Sequence, residues 1–77
     1  MRTARITGPA SLGNILREAR TMRGLTQQAL SDELGVSKRY IVELEQGKPT
    51  KAIERLFDYL RETGVTLHGE ISEERDR

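Results

Sequence analysis

Lys38, Arg39, Tyr40 and Glu43 fall close together in the chain and bring two cations, a phenol and a carboxylate into one short stretch. On a helix, Glu43 lies about one turn beyond Arg39 on the same face. Arg and Lys donate to guanine O6 and N7, a carboxylate accepts from cytosine N4, and Tyr can meet a thymine methyl or a phosphate. Plainer roles exist for each. Lys38 and Arg39 also suit phosphate contact or solvated surface, and Glu43 also suits repulsion or pairing within the protein. A second set, Thr26, Gln27, Ser37, Gln46, Lys48, Thr50 and Lys51, stands at expected helix starts or in the loop that follows. Backbone N–H groups at a helix start attract phosphate, and Gln27 adds a side-chain donor. Lys48 and Lys51 fit ordinary solvated lysines equally well.

The stretch Gly24 to Gly47, GLTQQALSDELGVSKRYIVELEQG, must position these side chains. Thr26 is placed to cap a helix running to about Leu34. Gly35 supplies positive φ at the break, Val36 plugs the corner, and Ser37 caps a second helix. Ala29, Leu30, Leu34, Val36, Ile41 and Leu44 form the apolar set expected to lock the two helices at a fixed angle. A turn this short between two helices is the arrangement that aims a helix N-terminus into the DNA major groove. The motif therefore points to DNA binding.

Elements around the motif follow from periodicity. Residues 1–8 lack a pattern and read as a flexible arm. Pro9 and Ser11 open a helix with Leu12, Ile15, Leu16 and Ala19 at helical spacing, ending near Arg23 with Gly24 as its stop. Thr50 is placed to cap a fourth helix, in which Ile53, Leu56, Phe57 and Leu60 make an apolar stripe that Gly64 closes. Residues 9–64 thus form the DNA-binding domain. The period then drops to two: Val65, Leu67, Gly69 and Ile71 face one way, with Thr66, His68 and Glu70 opposite. A lone strand leaves its backbone groups unpaired, so residues 65–71 are expected to pair with the same strand of a second copy about a two-fold axis. A disordered extension of the helix is the alternative. Residues 72–77 form a charged tail.

Composition narrows the class. A single domain of 77 residues buries only about 60% of its unfolded surface, so dimerisation is an expected source of stability. Without cysteine there is no disulfide framework or thiolate metal site. No apolar run approaches the roughly 20 residues of a membrane span, so a cytoplasmic, nucleoid-associated protein is expected. The net charge of +1 is unevenly spread: residues 1–23 hold five arginines against Glu18, while residues 70–77 hold four acids against two arginines. A basic front and an acidic tail suit a protein that faces DNA on one side.

On the pattern GLTQ, AL, LGVS and I..LE.G, here Gly24 to Gln27, Ala29-Leu30, Leu34 to Ser37, Ile41, Leu44-Glu45 and Gly47, the segment closely resembles the Cro/phage-repressor (XRE) family of helix-turn-helix proteins. The likeness implies an all-α, lambda-repressor-like bundle of four helices, to which the strand reading above adds a short C-terminal β-strand that pairs across a homodimer. It places Lys38 and Arg39 at base-reading positions. Gln27 would touch phosphate while bracing the recognition helix, and Arg20 with Glu45 would form an ion pair joining the first and third helices. Ile6, Pro9, Leu12, Arg17 through Gln27, the run YIVELEQGKPT and the strand VTLHGEI further resemble HipB-type antitoxins. That resemblance implies a dimeric repressor that binds palindromic operator DNA and neutralises a HipA-like Ser/Thr kinase toxin.

Nothing in the sequence suggests catalysis. His68 stands alone on the outer strand face, and the adjacent pairs Asp32-Glu33 and Glu73-Glu74 point in different directions on a helix. No cofactor, metal or ligand pocket is apparent. A free-standing Cro-like repressor without a toxin is the nearer rival, and a protein-interaction module that uses this fold without DNA is the more distant one.

Overall fold

In the computed structural model, which describes residues 2–72, the order is β1 (Arg2–Ile6), α1 (Pro9–Met22), α2 (Gln27–Leu34), α3 (Lys38–Glu45), α4 (Lys51–Thr63) and β2 (Leu67–Ile71). All four helices fall where the sequence places them, because each start and stop is chemically marked. The Thr26, Ser37 and Thr50 hydroxyls accept from the N–H groups of Ala29, Tyr40 and Ile53, satisfying donors the helix itself leaves orphaned. Ser11 ties the start of α1, accepting from Thr7 and Gly8 N–H and donating to the Gly8 carbonyl. Gly35 ends α2 at φ 71°, a left-handed conformation that costs a side chain strain and glycine nothing.

Two expectations are overturned at the ends of the chain. Residues 2–6 of the expected flexible arm form β1, and β1 pairs antiparallel with β2, setting Arg2 opposite Ile71 and Ile6 opposite Leu67. The C-terminal strand therefore has a partner within its own chain, which removes the premise that only a second copy could satisfy it. The strand is also shorter than expected: Val65 and Thr66 form the connection from α4. Of the expected tail, only Ser72 lies within the described residues. The inward alternation of β2 holds only toward its end: Ile71 is buried and Gly69 half-buried with His68 and Glu70 exposed, but Leu67, expected to face inward, is exposed as well.

Helix α1 is the hub. It packs on α3, on both strands and on α4, while α2 packs on α3. Ile6, Ile15, Phe57 and Ile71 are buried together, with Ala4, Leu12, Ala19, Ile53 and Leu60 packed around them. Burying a side chain such as Phe57 contributes about 1.5–3 kcal/mol. The apolar set expected inside the helix-turn-helix is only partly buried. Ile41 is 4% exposed, but Leu34 is 59% and Val36 37% exposed, because α2 packs mainly on α3. Leu16 of α1 and Leu56 of α4, placed on apolar stripes by their spacing, are likewise exposed.

Gly13 is buried where α1 meets the end of α3. A Cβ there would lie 2.5 Å from the Leu44 carbonyl oxygen and 2.7 Å from that of Glu45. Helix propensity favours Gly13→Ala by about 1 kcal/mol, but overpacking against backbone costs about 1–3 kcal/mol. The clash should win, because α3 would have to move as a body to relieve it. Gly13→Ala should lower the melting temperature followed by circular dichroism; a rise would show that α3 yields at this contact.

Candidate nucleic-acid interface

Three residues, Gly35 to Ser37, separate α2 from α3. A left-handed residue followed by a capped start turns the chain within that span and presents the first turn of α3 outward. Lys38, Arg39 and Tyr40 are exposed there. Arg39 is not a bare cation: its Nε donates to Glu43 Oε2 at 3.1 Å across one helical turn, with the two side chains 85% and 40% exposed. Tyr40, 48% exposed, also lines an apolar groove of roughly 400 Å³ with Leu16, Leu25, Leu30, Leu34 and Leu44. That hollow carried no signature in the sequence, because its walls come from three helices.

The far end of α3 is held by a buried ion pair. Arg20 Nε donates to Glu45 Oε2 at 2.6 Å and Nη2 to Oε1 at 3.0 Å, while Nη1 donates to the Leu25 carbonyl at 2.7 Å. The two side chains are 10% and 6% exposed. Gln27 Nε2 also donates to Glu45 Oε1, at 3.1 Å, so the expected brace between the start of α2 and the recognition helix is present. The Arg20 hydrogen bonds outweigh desolvation and hold the Glu45 carboxyl below its ordinary range, aided by the Gln27 bond and the charges of Arg20 and Arg17. The same hydrogen bonds raise the Arg20 guanidinium above its ordinary value.

Arg17 is one of the five arginines in residues 1–23 and opens the run Arg17 through Gln27, with no site role of its own expected from the sequence. It lines a crevice of about 350 Å³ with Arg20, Gln27, Val42, Glu45 and Gln46, which brings two of the phosphate candidates, Gln27 and Gln46, beside a cation. Its signal was its place one helical turn before Arg20. Beyond Gln46, Gly47 N–H donates to the Leu44 carbonyl and Lys48 N–H to that of Glu43. This closes α3 and leads to exposed Lys48, Thr50 and Lys51. The capping hydroxyls of Thr26, Ser37 and Thr50 accept from backbone, which leaves their O–H free to donate to a phosphate. His68 sits on the outer sheet face opposite Arg5. Among the described residues no cluster of His, Cys, Asp or Glu could hold a metal, and no helix is long and apolar enough to cross a membrane.

This geometry is that of a helix-turn-helix domain, and a helix-turn-helix family model matches residues 16–69, more than half of the chain. The chain belongs to this family, in its XRE-type branch. It is also 38% identical over 63 residues to an uncharacterised HTH-type transcriptional regulator, y4mF, of Sinorhizobium fredii, covering 82% of this chain and 83% of that one. No solved structure matches.

Because Glu45 is held low in the folded state, its contribution to stability is complete above the ordinary carboxylate value of about 4. It is lost as pH falls from there through the depressed folded value. Removing one partner of a buried pair costs about 3–5 kcal/mol, or roughly 12 °C or more in a domain this small. Thermal melts between pH 3 and 7 should show Arg20→Ala far less stable near neutrality, with the gap from the wild type narrowing in acid. Unchanged melting of the variant would refute a structural role for the pair.

Proposed function

We propose that this chain is a DNA-binding transcriptional repressor that lays α3 in the major groove, with Lys38 and Arg39 at base edges. The observation that carries this reading is the contrast along α3. Its last turn is clamped by the buried Arg20–Glu45 pair, while its first turn, with Lys38 and Arg39, is exposed. A rigid mount and a cationic, solvent-facing tip are what base reading needs. Arg17, Thr26, Gln27, Ser37, Gln46, Lys48, Thr50 and Lys51 would take phosphates around it, giving steep salt dependence. The name of y4mF, a transcriptional regulator, accords with this role.

The repressor would act as a homodimer on a palindromic operator, with half-sites one helical turn or a multiple apart, and would occlude the promoter. Each strand of the two-stranded sheet keeps one open edge. Pairing β2 with its counterpart in a second copy would extend the sheet to four strands, and light scattering on the purified chain would report that dimer. Lys38→Ala combined with Arg39→Ala should abolish sequence-specific binding in a mobility-shift assay without altering the melting temperature. Intact binding would remove α3 as the reader.

The finer role we propose is that of a HipB-like antitoxin that restrains a HipA-like Ser/Thr kinase, supported by the run LEQGKPT and the helix and strand after it. A free-standing repressor is the alternative. An affinity pull-down of the tagged chain from its native host should recover such a kinase in near-equal amount; recovery of the chain with operator DNA alone would retire the antitoxin role.

A further inference from the structure

We propose that Glu43 is a positioning residue that sets base specificity by holding Arg39 for a guanine, and that it does not read a base itself. This rests on the DNA-reading role of α3 proposed above. A free arginine on a helix tip samples many rotamers, and ordering it on DNA costs entropy. Here Glu43 Oε2 already accepts a hydrogen bond from Arg39 Nε at 3.1 Å, which favours one placement of the guanidinium. The two Nη groups remain as a fork for guanine O6 and N7, the pair of acceptors that a planar guanidinium matches.

In the free protein this exposed i,i+4 pair contributes little to stability. Its consequence lies in where the guanidinium points. On DNA the groove excludes water and strengthens the pair. The Glu43 carboxylate also acts on wrong sequences. Where no guanine engages Arg39, the pair docks poorly and a negative group is left close to phosphates, so non-cognate duplexes are bound more weakly. Glu43 thereby widens the gap between right and wrong sites from both sides. If Glu43 instead read a base, its second oxygen, Oε1, would accept from cytosine N4, and the variant would lose a cytosine preference rather than the guanine preference of Arg39.

The test selects binding sites from a library of randomised duplexes with the full chain, comparing wild type, Glu43→Gln, Glu43→Asp, Arg39→Lys and the Arg39→Lys/Glu43→Gln double variant. Glu43→Gln and Arg39→Lys should each relax a guanine preference at the same position, by roughly tenfold. Glu43→Asp should show a smaller loss, and the double variant no more than Arg39→Lys alone. Glu43→Gln should also bind a scrambled duplex severalfold more tightly, with its melting temperature unchanged. The proposal is overturned if Glu43→Gln keeps the guanine preference. It is equally overturned if that variant loses a cytosine preference at a position Arg39→Lys leaves alone. A wild-type chain that enriches no sequence would sink the DNA-reading role and this inference with it, a result distinct from a selective wild type and an indifferent variant.

Discussion

The orientation of the recognition helix depends on the bidentate bond between Arg20 and Glu45. Through it a single guanidinium touches the end of α3 and, by the Leu25 carbonyl, the chain entering α2. Three segments thereby converge on one planar, rigid group. An apolar contact of equal area would tolerate sliding and rotation, whereas two parallel hydrogen bonds to a carboxylate specify a single arrangement. Buried pairs are weak as net sources of stability, so this one is better understood as fixing the geometry of α3. Gly13 reinforces it by letting backbone meet backbone at the same junction.

Helix α1 divides the molecule into two halves. One side supports the helix-turn-helix through polar, directional contacts. The other carries the apolar cluster of Ile6, Ile15, Phe57 and Ile71, closed by the small sheet. The reading half is the less well buried of the two: Leu34, Val36 and Tyr40 remain substantially exposed beside an open groove. A motif that presents its face to a partner cannot bury that face internally, and α2 with α3 alone is too small to enclose its own apolar residues.

Much of the local structure was legible in the sequence. Thr26, Ser37 and Thr50 before the helices, and Gly35 and Gly64 after them, mark boundaries by chemistry acting within four residues, and all appear as caps. The link between Arg20 and Glu45 was foreseen from family likeness, since nothing local marks a pair 25 residues apart. The pairing of Arg2–Ile6 with Leu67–Ile71 was missed. Only Ala4 and Ile6 supply the apolar side of β1, too few to show a period of two. The result was an arm read as flexible and a C-terminal strand read as partnerless.

The sequence by itself determined the four helices, the turn between α2 and α3, and the identity of the side chains at the tip of α3. These are consequences of capping, glycine conformations and short-range periodicity. Tertiary structure alone decided that the two chain ends close into one sheet, that Gly13 must lack a side chain, and that Arg17 joins Gln27 and Gln46 at a crevice. Each of these depends on distances between groups whose approach is set by packing, which residue order constrains only through the whole fold.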